Sequence, residues 1–184
     1  MNDQELVRLQ RARAFDQTAL ATIYDDYHQP IYRYIYHQVS DVETARDLSA
    51  EVFHRLLKAL QRGKGPDQNL RAWLYRTAYN CVVDYYRRQQ HRQHLSLQEE
   101  LVDTHDDPET LAENHISAEA VQAALQQLTP DQQQVITLKF LEGLSNQETA
   151  NILNKPVGAV KSLQHRALAA LQRRLNTVQE KVSK

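Results

Sequence analysis

Glycine and proline, the residues that break regular structure, are scarce in this sequence. The 184 residues include only four glycines and five prolines, whereas all-β domains typically need many turns built from both. Glutamine and alanine are abundant instead, and both favour helices. We therefore expect an all-α fold.

Cysteine and long apolar runs are also lacking. The single cysteine, Cys81, excludes an intrachain disulfide, which favours a reducing compartment. No segment approaches the ~18 consecutive apolar residues that a membrane helix requires. The N-terminal segment MNDQELVRLQRAR lacks the apolar core of a signal peptide. The sequence thus predicts a cytoplasmic protein without membrane insertion.

Positive charge is missing from the middle of the chain. Residues 93–138 contain nine acids and no Lys or Arg, whereas residues 1–92 contain 14 bases and 11 acids, and residues 139–184 contain eight bases and three acids. The formal net charge of −1 therefore conceals two basic ends around an acidic middle. Residues 95–113, which are acidic and contain Pro108, are interpreted as a linker with little fixed structure.

Helix-start and helix-stop signals divide the chain into two helical blocks, 1–94 and 114–184. In the first block, Ser40 with Glu43 has the spacing of a capping box, and Gly63 stands where a helix would end. We expect two small helical domains joined by the acidic linker.

The second block carries three further signals. Thr129 followed by Pro130 predicts a helix start, Ser145 with Glu148 predicts a capping box, and Asn154 predicts a left-handed helix end. A last helix is expected from about residue 157 onward. The short helix, tight turn and longer helix are typical of a helix-turn-helix.

The last helix has one apolar and one basic face. At about 100° per residue, Val160, Ala167, Leu171 and Leu175 share a side. The opposite side carries Gly158, Lys161, Ser162, His165, Arg166, Gln172 and Arg173. This side offers donors for phosphates and base edges without an acid to repel DNA, and its glycine allows a close approach to the DNA backbone. An ordinary solvated basic face is the alternative interpretation.

The two blocks together resemble a known family. DLSAEVFHRLLKAL and LRAWLYRTAYNCVVDYYRR (47–60 and 70–88) resemble conserved region 2 of the bacterial extracytoplasmic-function (ECF) sigma factors, which belong to the sigma-70 family. The segment 125–175, which contains EGLSNQETANILNKPVGAVKS, resembles region 4. The resemblance implies a transcription initiation factor, not an enzyme. Such a factor binds core RNA polymerase, directs it to promoter DNA and assists melting of the −10 element.

The resemblance also implies candidate DNA contacts. The last helix would read the −35 element through Lys161, Ser162, His165 and Arg166, which lie on the outward face together with Gly158 and Arg173. The loop 62–69 and the following helix would hold the −10 element as a single strand. The candidate −10 contacts are Lys64, Asn69, Arg71, Asn80, Arg87 and Arg88.

Asp47 and Glu51 form a like-charged pair four residues apart, which costs about 0.2–0.5 kcal/mol in an isolated helix. Either Arg46, Arg55 and the helix dipole compensate this pair, or it faces a basic partner. By resemblance that partner is the clamp helices of the largest polymerase subunit. The resemblance further implies contact with the flap of the second-largest subunit and control by an anti-sigma factor.

Other functions have weaker support in the sequence. A free-standing helix-turn-helix repressor or activator is the alternative, although it would not need the tryptophan-containing basic helix or the acidic pair. His91 and His94 have a metal-like spacing, but no cysteine or acidic ligand is adjacent. We find no phosphate loop, nucleophile motif or paired catalytic acids, and predict no metal and no cofactor.

Overall fold

The computed structural model describes residues 3–67, 69–96 and 118–182. All regular structure within these ranges is helical, which confirms the predicted all-α class. The α-helices are α1 Asp3–Arg13, α2 Gln17–Val39, α3 Val42–Gln61, α4 Leu70–Ser96, α5 Ala118–Gln126, α6 Pro130–Ile136, α7 Asn146–Leu153 and α8 Val157–Val182. A π-helical segment, Thr137–Leu141, directly extends α6. Apart from its first two residues, the predicted linker 95–113 lies outside the described residues.

The predicted helix ends in the second block are confirmed. Capping boxes start α6 at Thr129 and α7 at Ser145, each with its side chain and backbone bonds both formed. Gly143 follows the π-helical segment with φ 67°, and Asn154 ends α7 with φ 53°. In the first block, Gly63 follows α3 with φ 65°. These left-handed positions stop each helix where the sequence indicates.

The predicted capping box at Ser40 and Glu43 is wrong. Ser40 instead ends α2 in a left-handed conformation with φ 55°, and its N–H donates to the Tyr36 carbonyl. The N-cap of α3 is Asp41, whose carboxylate accepts the Thr44 N–H at 2.7 Å. Asp caps a helix as well as Ser does, so α3 starts one residue later and Ser40 is free to close α2.

Helix α2 contains Pro30, a residue type that commonly kinks or breaks a helix interior. The helix is continuous from Gln17 to Val39 across this proline. Directly after the proline, Ile31, Tyr34 and Ile35 are fully buried. Burial of these large side chains outweighs the one backbone hydrogen bond that the proline removes.

A shared hydrophobic core joins the two helical blocks. We call residues 3–96 the N-terminal unit and residues 118–182 the C-terminal unit. The N-terminal unit contributes buried side chains that include Ile31, Tyr34, Leu74, Tyr75 and Ala78. The C-terminal unit contributes Val135, Leu138, Leu144, Ala150, Ile152, Leu153, Val160 and Leu163. The predicted pair of helical units is therefore present, and the two units pack against each other in this closed arrangement.

Glutamine side chains of the C-terminal unit bind the carboxyl end of α2. The Gln133 amide donates to the His37 carbonyl at 2.7 Å, and Gln126 donates to the same carbonyl at 3.1 Å. The Gln122 amide donates to the Ser40 hydroxyl at 2.8 Å. The last carbonyls of a helix have no partner within it, so the C-terminal unit satisfies groups that α2 leaves open.

Candidate nucleic-acid interface

Helix α8 is held by one face and exposes the other. Val160 and Leu163 are buried in the core shared by the two units, and Ala167 is buried in a smaller cluster within the C-terminal unit. The candidate −35 contacts Gly158, Lys161, Ser162, His165, Arg166 and Arg173 are all exposed. Leu168, which lies at the edge of the apolar face, is 41% exposed.

The helix before α8 completes a helix-turn-helix. In α7, Thr149, Ala150, Ile152 and Leu153 are buried, and α7 packs against both α8 and α4 while α8 projects its basic face. A turn of three residues, 154–156, separates the two helices. This arrangement matches the motif in which the second helix enters the major groove.

The basic side chains of α8 lie along the helix surface. Arg166 Nε donates to the Ser162 carbonyl at 3.3 Å, and Arg173 Nε donates to the Ala169 carbonyl at 3.2 Å. The Ser162 hydroxyl donates to the Gly158 carbonyl at 3.0 Å. These bonds orient the polar groups without burying them, which leaves the face accessible to a nucleic acid.

The candidate −10 contacts do not share one environment. Lys64, Asn69, Asn80, Arg87 and Arg88 are exposed. Asn69 has a structural task as well, because its side-chain oxygen accepts the Ala72 N–H at 2.8 Å at the start of α4. Arg87 pairs with Asp84 at 3.2 Å, an exposed contact that contributes little to stability.

Arg71, the sixth −10 candidate, is half-buried between the units. Its Nη2 donates to the Glu142 carbonyl at 2.6 Å, and its guanidinium carbon lies 5.9 Å from the centre of the Tyr75 ring. The Tyr75 hydroxyl donates to the Glu142 carboxylate at 2.5 Å. Burial and the bond to Glu142 raise the pKa of Tyr75, so this hydroxyl keeps its proton.

Arg76 is a contact residue that the sequence does not reveal. Its Nη2 donates to the Asn151 carbonyl at 2.6 Å, and its Nε to the Ile152 carbonyl at 3.4 Å. Both carbonyls belong to the last turn of α7, where a cation is favourable. The partners lie about 75 positions away along the chain, and no local pattern marks them.

The acidic pair on α3 is only partly compensated. Glu51 accepts a hydrogen bond from Arg55 Nε at 2.7 Å, and this bond lowers the pKa of Glu51. Arg46 pairs with Glu43 at 2.6 Å rather than with Asp47. Asp47 is exposed and forms no ion pair within the described part of the chain. Arg55 therefore compensates the charge of Glu51, whereas the charge of Asp47 has no compensating cation among the described residues.

Two further sequence predictions concern metal binding and membrane insertion. The side chains of His91 and His94, which have a metal-like spacing, are outside the described residues. No helix in the ranges 3–67, 69–96 and 118–182 combines the length and apolar character needed to cross a membrane.

Comparisons with known proteins agree with this geometry. The family model for sigma-70 region 2 matches residues 23–92, and the model for sigma-70 region 4 matches residues 118–171. The ECF RNA polymerase sigma factor SigX of Bacillus subtilis is 34% identical over 166 residues, which cover 87% of this chain and 85% of SigX. The ECF RNA polymerase sigma factor BldN of Streptomyces coelicolor is 36% identical over 170 residues, which cover 91% of this chain and 64% of BldN.

A solved structure has the same fold. The sigma factor RpoE of Bartonella quintana, in complex with the anti-sigma factor NepR, superposes with a TM-score of 0.70 over 85% of this chain and 96% of that one, at 21% identity. The chain belongs to the ECF sigma factors of the sigma-70 family. Transcription initiation at specific promoters is accordingly the function that both units support, and a free-standing repressor is not favoured.

Proposed function

We propose that the chain binds core RNA polymerase through α3, reads the −35 element with α8 and holds the −10 strand along the loop 62–69 and α4. The observation that carries the proposal is the exposed donor face of α8 in a chain that also carries region 2. The chain acts in the cytoplasm by binding, without catalysis of its own.

The −35 assignment follows from the chemistry of α8. Arginine and lysine donate to O6 and N7 of guanine in the major groove, and short polar side chains reach neighbouring edges. Lys161, Ser162, His165 and Arg166 lie within the first three turns of α8, where a recognition helix meets base edges. Arg173 lies two further turns along, and we assign it to a phosphate contact.

The −10 assignment follows from the exposed side of α4. Asn80, Arg87 and Arg88 are exposed along this helix. Cations that follow a backbone, together with a polar side chain near the bases, are typical of single-strand binding. Lys64 and Asn69, which are exposed in and at the end of the preceding loop, complete the proposed set of contacts.

The polymerase assignment rests on Asp47. An exposed carboxylate without an ion pair in the described residues favours a basic partner, which we assign to the clamp helices of the largest subunit. Glu51 contributes less, because Arg55 already neutralises it. We assign the C-terminal unit to the flap of the second-largest subunit. Because the Bartonella sigma factor of similar fold binds an anti-sigma factor, we propose the same kind of regulator here.

Promoter binding requires the two units to separate. The −35 and −10 elements lie about 25 base pairs apart, which is about 85 Å at ~3.4 Å per base pair. A compact chain of this length has a radius of gyration of only about 16 Å. The closed arrangement therefore cannot place α8 and α4 on both elements at once.

In vitro transcription with core polymerase tests the proposal. Core with this chain should yield transcripts from a subset of promoters in a genomic fragment pool, whereas core alone should not. A pull-down with core discriminates the alternative, because a repressor binds its operator alone and need not bind core. The proposal fails if the chain neither retains core nor supports initiation.

A further inference from the structure

Glu142 accepts hydrogen bonds from two donors of α4, one at its carboxylate and one at its main-chain carbonyl. Its carboxylate accepts the Tyr75 hydroxyl at 2.5 Å, a length typical of a charge-assisted bond. Its carbonyl accepts Arg71 Nη2 at 2.6 Å. One residue of the C-terminal unit thus occupies a hydroxyl and a guanidinium of the N-terminal unit.

The same two donors fit a phosphodiester. A phosphate offers oxygens that accept hydrogen bonds from arginine and from tyrosine hydroxyls, and both residue types contact phosphates in nucleic-acid complexes. We propose that Tyr75 and Arg71 form a binding site for a backbone phosphate of single-stranded DNA, and that Glu142 occupies this site in the closed arrangement. This inference rests on the proposed function, which places the −10 strand along α4.

Because Tyr75 is buried, Glu142 and a phosphate cannot occupy the Tyr75–Arg71 site at the same time. Tyr75 is only 1% exposed in the closed arrangement, so a phosphate reaches its hydroxyl only after Glu142 has left. Arg71 is likewise half-buried against the C-terminal unit. Strand binding and closure therefore oppose each other, and by linkage each weakens the other to the same degree.

Other contacts between the units do not share this property. Arg76 binds the Asn151 carbonyl at 2.6 Å, and Gln133 binds the His37 carbonyl at 2.7 Å. In both bonds the acceptor is a neutral backbone carbonyl at the end of a helix. Among the described contacts between the units, the Glu142 contact is the one that joins a carboxylate to a donor of α4.

The test measures binding of the full-length chain to a fluorescein-labelled, mixed-sequence single-stranded DNA of 15 nucleotides by fluorescence anisotropy at low salt. A mixed sequence suits a phosphate site, because phosphate contacts carry no base information. Glu142→Gln should tighten binding on the order of tenfold, since it replaces a charge-assisted bond by a neutral one. The control Glu43→Gln removes the same charge from an exposed site on α3 and should change binding less than about twofold.

Double variants test whether Arg71 and Tyr75 bind the strand once Glu142→Gln weakens the contact with Tyr75 and lets the units open. Arg71→Gln in the Glu142→Gln background should remove most of the gain, and Tyr75→Phe should remove part of it. Equal effects of Glu142→Gln and Glu43→Gln would overturn the proposal. So would a gain that persists when Arg71 and Tyr75 are both replaced. Transcription with core polymerase tests the proposed function independently of these binding results. If the wild-type chain does not support initiation, the proposed function fails, whatever the anisotropy measurements show.

A distance measurement tests the exclusivity. Dyes on cysteines introduced at the exposed positions Ala50 and Gln172 report the separation of the units by energy transfer. Cys81 is 1% exposed, and burial raises the pKa of its thiol to about 11, so it should escape labelling. Saturating single-stranded DNA should lower the transfer efficiency. Unchanged efficiency with DNA bound would show that the strand does not displace Glu142.

Discussion

The Gln38 side-chain amide donates a hydrogen bond of 3.0 Å to the Thr137 hydroxyl, although the two residues lie 99 positions apart. Both side chains are buried. The Thr137 hydroxyl in turn donates to the Gln133 carbonyl at 2.9 Å. Next to these hydrogen bonds, the buried Tyr34 hydroxyl donates to the side-chain oxygen of Gln134. A buried polar network tolerates little displacement, because each unsatisfied group is costly, so these bonds specify one register between the units.

Thr137→Val tests this network. Valine keeps the shape but removes the hydroxyl, which leaves the Gln38 amide without its acceptor. The free energy of unfolding should fall by about 1–3 kcal/mol, as measured by urea denaturation. Thr18→Val makes the same change at an exposed position and should change stability by less than about 0.5 kcal/mol. Equal effects of the two substitutions would show that the buried network does not stabilise the packing of the two units.

Limited proteolysis tests the shared core. The acidic composition of residues 95–113 predicts that cleavage begins there. Because buried side chains of both units belong to one hydrophobic cluster, the two fragments should remain associated and elute together on size-exclusion chromatography. Separate elution under native conditions would mean that the contacts between units hold only while the chain is intact.

Local features of the fold could be predicted from the sequence. Capping at Thr129 and Ser145 depends on residues three positions apart, and the outward face of α8 follows from helical periodicity. Such signals are short-range, so one sequence contains all of the information needed. The N-cap predicted at Ser40 is wrong because Asp41, one residue away, is an equally good cap, and the local pattern does not distinguish the two.

Contacts between the units could not be predicted. Gln133 and Gln134 are polar residues that a pattern assigns to a surface, yet both are buried. Their partners lie about 100 positions earlier, and no periodicity links the two segments. The contact between Arg71 and Glu142 could not be predicted for the same reason. The proposed DNA role of Arg71 follows from the family resemblance, which says nothing about this contact.

Acid should reveal the cap at Asp41. Hydrogen bonds from Thr44 lower the pKa of the Asp41 carboxyl. The stabilisation is therefore full above the unfolded-state pKa of about 3.9, and it is lost as the pH falls through the lower folded-state value. Asp41→Asn keeps a good cap that does not titrate, so its melting temperature should depend less on pH below about 4. Asp41→Ala should instead lose stability at every pH tested.

Charge reversal on α3 should distinguish the contributions of Asp47 and Glu51 to polymerase binding. Asp47→Arg should weaken binding to core polymerase on the order of tenfold, because it places a cation against a basic surface. Glu51→Arg should weaken binding less, since Glu51 is already paired with Arg55 at 2.7 Å. Biolayer interferometry with immobilised core measures both. Asp25→Arg reverses an exposed charge on α2 as a control, and a loss as large as that of Asp47→Arg would leave the α3 assignment without support.

Substitutions on α8 should distinguish base readout from phosphate contact. Arg166→Ala should cost about 1–3 kcal/mol on the preferred promoter and relax preference at one position, because we propose that its guanidinium contacts a base edge. Arg173→Ala should weaken all sequences alike and flatten the salt dependence, as loss of a phosphate contact does. In vitro promoter selection with a randomised −35 element measures both effects. If Lys161→Ala, His165→Ala and Arg166→Ala all keep the wild-type preference, α8 is not the recognition helix, whatever its exposed face offers.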